Sequence, residues 1–384
     1  MFGHLEQPCV QHRLCEVGVV VGRHSGAIQP LSGSLDEQCI ETIALRLVSP
    51  EFFGAQCRRE EASVTRSVLG PRLQGATNAV PPWAVVAFLL CAIVPVGFLG
   101  ATRYLNNFWL YRGFPPPKDP AFVTQRGSSQ SIIVASAALG GRRQQVVVYL
   151  PPGYAGQPSR RYPVFYLLHG FPGKPTAFLQ TVRAGVVEDI LLAKHRIKPM
   201  ILVMPYGSTG TFTDKEWANG VTRNNGWETF VARDLVRAID ASYRTIPTGS
   251  GRALGGLSEG GYGALNIGLH HPGRFRVLES WSGYALADNL RSIFGGQRTK
   301  LTLNSPLLQL PTVAAPLRHA RTFVWFYSGR DDRLRSQNAA FAAALNQAGI
   351  PHRYFTVQGG HNWSLWRGNA ALALLAASKH LARG

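Results

Sequence analysis

Beyond residue 91 the chain has no cysteine: Cys9, Cys15, Cys39, Cys57 and Cys91 all fall in its first quarter. Their spacing fits no zinc pattern, and neither an H-E-x-x-H run nor a paired-cysteine motif occurs. No metal site is therefore expected, and no cofactor is implied. A region without thiols neither needs disulfides nor risks stray oxidation, which makes it compatible with export. Acidic residues are scarce as well. Of the 40 Lys and Arg, 31 lie beyond residue 112, against 13 of the 21 Asp and Glu. That surplus favours anionic lipid headgroups or wall polymers. A nucleic-acid reader would show a basic stripe or an aromatic recognition motif; neither is visible, so nucleic acid is not an expected partner.

Charge is missing altogether from Trp83 to Ala101. At about 1.5 Å per residue this stretch matches the roughly 30 Å core of a bilayer. Trp83, Tyr104, Trp109 and Tyr111 resemble interfacial anchors, and Pro95 and Gly97 are tolerable in a membrane helix. Residues 83–101 read as an uncleaved single-pass anchor. A cleaved signal peptide is the alternative, although Gly100-Ala101-Thr102 makes a weak cleavage site. Lys and Arg are nearly balanced on the two sides, so charge leaves the orientation open. Residues 1–80 show no sustained amphipathic period and read as disordered or as a spurious extension, with the natural start near Val64. Residues 102–128, containing Pro115-Pro116-Pro117, read as a stiff linker to a globular domain over 129–384.

That domain carries Gly256-Leu257-Ser258-Glu259-Gly260 between a short strand-like run and an Ala/Leu/Ile-rich helix pattern. G-x-S-x-G in a strand–turn–helix setting is the nucleophile elbow of an α/β-hydrolase. Ser258 must then occupy a strained turn, with Gly256 and Gly260 removing Cβ atoms that would clash with neighbouring backbone. The partners follow in the order that fold requires. The apolar run 322–327 reads as a buried strand ending at Asp331 and Asp332. A second strand, 353–357, ends at His361 in a Gly-rich loop, and 337–348 reads as the crossover helix between them. His361 is the candidate base for Ser258, and a carboxylate would hold its tautomer. Asp332 is favoured as that acid, with Asp331 as its rival. None of the other ten histidines has both this position and this glycine-flanked loop.

An oxyanion hole needs two N–H donors: the amide after the nucleophile, Glu259, and one from a loop after an earlier strand. The run 162–168 followed by His169-Gly170-Phe171 supplies the backbone of Phe171, with His169 read as a structural hydrogen-bonder. Trp227, Glu228 and Trp363 are weaker candidates for the substrate pocket; Glu228 also reads as a first-turn acid favoured by the helix dipole, and core packing explains Trp363 and Trp366 as well as a pocket wall does. The irregular segment 207–225 is expected to shape the pocket. Residues 285–317 read as either a small cap or a solvated connection.

The strings YPVFYLLHGFPG (162–173), ILVMPYG (201–207), WETFVARDLVRAIDASYRT (227–245), GLSEGGYGAL (256–265) and GGHNWSLW (359–366) resemble the putative-esterase branch of the α/β-hydrolases. That branch holds esterase D-like S-formylglutathione hydrolases, feruloyl esterases, enterochelin esterases and secreted mycolyltransferases. The resemblance implies a mostly parallel sheet of about eight strands flanked by helices, here preceded by one transmembrane helix. It also implies a serine ester hydrolase facing out of the cytoplasm, acting on an ester or thioester that is a small molecule or a lipid. The Trp-Glu-Thr-Phe run and the Trp after the histidine are most similar to the mycolyltransferases, so acyl transfer to an alcohol or sugar is the alternative. The His-Gly-Phe loop and the aspartate depart from them and point to plain hydrolysis. A catalytically silent surface-binding module is the third reading.

Overall fold

The computed structural model describes residues 81–111, 118–210 and 213–383, with side chains of the first stretch described to residue 101. The expectations for residues 1–80, and for 112–117 of the linker, lie outside these residues. Pro82–Tyr111 is one helix. Its Pro82–Ala101 window has a mean hydropathy of 2.5 and no buried share, so it is long and apolar enough to cross a membrane. The helix continues past the expected end at Ala101, so part of the expected linker is helical. After Pro95, inside the helix, the sequence has no further proline before Pro115.

The sheet has eight strands in the order β1-β2-β4-β3-β5-β6-β7-β8. They are β1 (Ser128–Ser136), β2 (Arg142–Leu150), β3 (Val164–Leu168), β4 (Ile201–Pro205), β5 (Arg252–Leu257), β6 (Val277–Trp281), β7 (Phe323–Gly329) and β8 (His352–Val357). β2 runs antiparallel to both its neighbours; β3 through β8 pair in parallel. The reversal at β2 follows a hairpin through Gly140 and Gly141, whose φ angles of 67° and 81° suit glycine. Interior strands β3, β4 and β6 are buried at every position. Helices cover both their faces, so they read as continuous apolar runs rather than as alternating ones.

One apolar layer joins the sheet to the helix over 227–242 (with a π-helical turn at Phe230–Leu235), to Glu259–His270, Pro306–His319 and Arg335–Gln347. The other joins it to Ala184–Ala193 and Trp363–His380. The segment over 285–317 is a small cap rather than a solvated connection. Ala287, Leu290, Ile293 and Phe294 bury themselves against Tyr262 in a third cluster. Pro306, which reads as a turn signal, instead opens the helix Pro306–His319 at its first turn, where its fixed φ is pre-organised. Because β3 and β5–β8 are parallel, the residues after their C-terminal ends gather along one edge of the sheet.

Glu279 lies at the centre of β6 with no exposed surface. One carboxyl oxygen accepts the Trp281 indole N–H at 2.9 Å. Burial pushes the carboxyl well above its ordinary 4.5, so the folded chain keeps a proton that the unfolded chain releases. Stability is then lost as pH rises through that window. Glu279→Gln is expected to raise Tm relative to the parent more at about pH 8 than at about pH 4, read by thermal melts; an equal offset at both would contradict this.

Candidate active site

Ser258 sits between β5 and the helix Glu259–His270 with φ 54° and ψ −120°, a conformation rarely open to a residue with a Cβ. The flanking glycines make it possible. A Cβ on Gly260 would lie 1.9 Å from the Leu168 carbonyl oxygen, and one on Gly256 would lie 2.5 Å from the same atom. The helix therefore starts directly against the end of β3. Its far end is held by Glu228, whose carboxyl bonds His270 and His271 at 2.9 Å each. Burial works to raise the Glu228 carboxyl, but the two imidazoles outweigh it and hold it at about 2. Both ring nitrogens of His270 face acceptors, the other being the Leu303 carbonyl at 2.8 Å. A positive imidazolium there suits the helix C-terminus.

The Ser258 Oγ lies 2.8 Å from His361 Nε2, and His361 Nδ1 lies 2.7 Å from Asp332 Oδ2. Asp332, not Asp331, faces the imidazole; Asp331 is exposed. The two loops are stitched together by the Asp331 amide donating to the Gly359 carbonyl at 3.2 Å and the Arg330 amide to Val357 at 2.8 Å. Burial pushes the Asp332 carboxyl up, but hydrogen bonds from His361, Ser282 and the Leu334 amide outweigh it and hold it below 3.8. An ionised Asp332 fixes Nδ1 as the protonated nitrogen and leaves Nε2 free to accept from Ser258. Trp366 supports the ring edge-on at 5.0 Å, and its indole N–H is tied to the Trp281 carbonyl at 2.9 Å.

Glu259 opens the helix directly after Ser258, and Phe171 follows Gly170 in the loop after β3. The Glu259 amide is the first of its helix and has no intrahelical acceptor. Gly170 presses on the elbow, since a Cβ there would lie 3.0 Å from Ser258 Cβ. His169 holds the loop from beneath. The Gly207 amide donates to its Nε2 at 3.1 Å, so Nδ1 carries the proton and donates to the Gly170 carbonyl at 2.9 Å. Burial lowers its pKa to about 4, keeping it neutral. Trp217, from the irregular segment after β4, donates to the His169 carbonyl at 2.9 Å and stacks edge-on against the ring.

A cleft of about 380 Å³ opens at Ser258, with Glu216, Tyr284 and Arg333 in its wall. The structure does not bring Trp227 or Glu228 to it. Trp227 is 1% exposed within the core, and Glu228 is at the opposite end of the elbow helix. Trp363 packs on Trp366 at 5.1 Å, behind the histidine rather than in the cleft wall. Sequence reasoning missed Ser282, which donates to Asp332. Recognising the run Val277–Trp281 as a strand would have placed Ser282 at the same sheet edge. Glu216 lies in 207–225, the segment expected to shape the pocket, though nothing in the sequence singles it out there; Tyr284 carried no signal, because it reaches the cleft from the loop after β6.

A family model described as "Putative esterase" matches residues 136–376. The chain is 29% identical to the esterase Rv1288 of Mycobacterium tuberculosis (strain H37Rv) over 87% of its own length and 76% of that protein's. It is 27% identical to the diacylglycerol acyltransferase/mycolyltransferase Ag85A of Mycobacterium ulcerans over 43% of this chain and 59% of that one. Among solved structures, a ferulic acid esterase shares the fold with a TM-score of 0.59 at 24% identity, covering 67% of this chain and all of its own.

Ser282 touches Asp332 and does not line the cleft, so its loss bears on the imidazole rather than on binding. Ser282→Ala is expected to lower kcat for an aryl ester by about 3- to 30-fold with little change in KM, measured by steady-state kinetics; an unchanged kcat would contradict this.

Proposed function

The chain belongs to the "Putative esterase" family, and we propose that it is a serine-dependent carboxylic ester hydrolase working through an acyl-enzyme on Ser258. The observation that carries the reading is the unbroken hydrogen-bond path Ser258–His361–Asp332. In the first step Ser258 Oγ bonds the acyl carbon while His361 Nε2 takes the hydroxyl proton. The negative oxygen that develops points at the Phe171 and Glu259 amides. The bond to the alcohol oxygen then breaks, and His361 returns the proton to the departing alcohol. In the second step water attacks the acyl carbon, His361 accepts its proton and passes it to Ser258, and the carboxylic acid leaves. Asp332 stays ionised throughout, stabilising the imidazolium.

Acyl transfer is the second reading, supported by the similarity to a protein named as an acyltransferase. It uses the same acyl-enzyme, with an alcohol or sugar in place of the water. Asp332, His361 and Ser258 keep their roles, and only the acceptor differs. The apolar helix window Pro82–Ala101 supports a membrane anchor, the family resemblance supports a catalytic domain outside the cytoplasm, and the basic surplus of the domain supports an anionic surface nearby.

Full-length protein in detergent is expected to react with a fluorophosphonate probe, and Ser258→Ala is expected to lose labelling together with at least about 10⁴-fold of its aryl-ester turnover. Folded parent protein that neither labels nor hydrolyses any aryl ester from acetate to palmitate would sink the proposal. Added sugar alcohols shift product from acid to new ester only under the transfer reading.

A further inference from the structure

The wall of the Ser258 cleft is unlike that of a channel for an aliphatic chain. Glu216, Tyr284, Asn289, Arg333 and Gln337 face it, alongside three leucines. An aliphatic group bound there would leave polar groups unpaired, which is the costly case; a hydroxylated group of sugar size would satisfy them. Glu216 is the least exposed of the five, at 5%. Its position is fixed from two sides. The Tyr284 hydroxyl donates to its carboxyl, and the Tyr284 ring is stacked on Tyr262 at 4.6 Å. Its amide donates to Asp214, two residues back, at 3.0 Å, and it precedes Trp217, whose indole is anchored to His169 beneath the nucleophile.

Resting on the serine-esterase reading, we propose that Glu216 is the specificity-determining residue of this cleft, hydrogen-bonding the alcohol portion of the ester and favouring esters of polyols and sugars over esters of aliphatic alcohols. The titratable groups around it are Asp214 on its own loop, Glu259 and Tyr262 on the elbow helix, and Tyr284 after β6; Arg333 lines the cleft as well. Burial, reinforced by Asp214, pushes the Glu216 carboxyl up to about 8 against the pull of the Tyr284 hydrogen bond. Near neutrality it therefore holds a proton and both donates and accepts, as a sugar hydroxyl does. When it ionises it loses the donor, so selectivity declines as pH rises through that value.

The experiment compares kcat/KM for glyceryl monoacetate and propyl acetate with full-length protein at about pH 7 and about pH 9. The two esters share an acyl group, so titration of the triad cancels in their ratio. The parent is expected to prefer the glyceryl ester, and Glu216→Leu to cut that preference by about tenfold or more. Glu216→Gln, which has the same shape and stays neutral, is expected to keep the preference and to remove its decline at the higher pH. If Glu216→Leu fails to fold, the flat profile of Glu216→Gln decides alone. A parent without the preference, a Glu216→Leu ratio within about twofold of the parent's, or a Glu216→Gln profile that still declines would overturn the proposal. Hydrolysis of neither ester would instead overturn the esterase reading and this inference with it.

Discussion

A Cβ on Gly260 would come within 1.9 Å of the Leu168 carbonyl oxygen, and that close approach of helix to strand organises the whole edge of the sheet. It lets the helix Glu259–His270 begin at the end of β3, holds Ser258 at φ 54°, and brings Gly170 against the Ser258 Cβ. The neighbouring loops are then built to meet a serine at that one point. Trp217 and His169 brace the His-Gly-Phe loop, Trp366 and Asp332 brace His361, and Ser282 braces Asp332. Strain at one residue is tolerable because the packing of the parallel sheet around it leaves no relaxed alternative.

The parts that local sequence dictates could be read before the fold was known. Glycines at 256 and 260 have a steric reason, and long apolar runs bounded by Gly and Asp read as interior strands. The order serine, acid, histidine is the one that the strand–turn–helix setting of the elbow calls for. The choice between Asp331 and Asp332 could not be made that way, because adjacent residues in a turn differ only in the direction they point. The interaction of Glu228 with His270 and His271 was equally hidden: first-turn acid and helix-end imidazoles meet only once two helices pack. Trp227 shows the converse error, since a large aromatic beside a motif is as readily core as pocket. Pro306 read as a turn but begins a helix, and the cap it belongs to emerges only from its contacts with Tyr262.

Charge is managed differently at the two ends of the elbow helix. At the C-terminal end, Glu228 is ionised and matched by imidazoles. At the N-terminal end, Glu216 and Glu259 are buried acids pushed toward the protonated form, mainly by burial and then by nearby carboxyl groups. Holding Glu216 and Glu259 as neutral acids limits the negative charge beside Asp214 and retains hydrogen-bonding capacity in the cleft. Asp332, in line with the imidazole, is by contrast held below the ordinary carboxylate range by His361, Ser282 and the Leu334 amide.

The fold and the family support ester hydrolysis, and the proposal places that chemistry on Ser258. The most direct test is to mix full-length protein with a slow aryl ester, quench, and weigh and map the protein by mass spectrometry. The expected result is a mass gain equal to one acyl group, carried on the peptide containing Ser258. An acyl group found on another residue, or rapid turnover with no acyl-enzyme and full activity in Ser258→Ala, would contradict it.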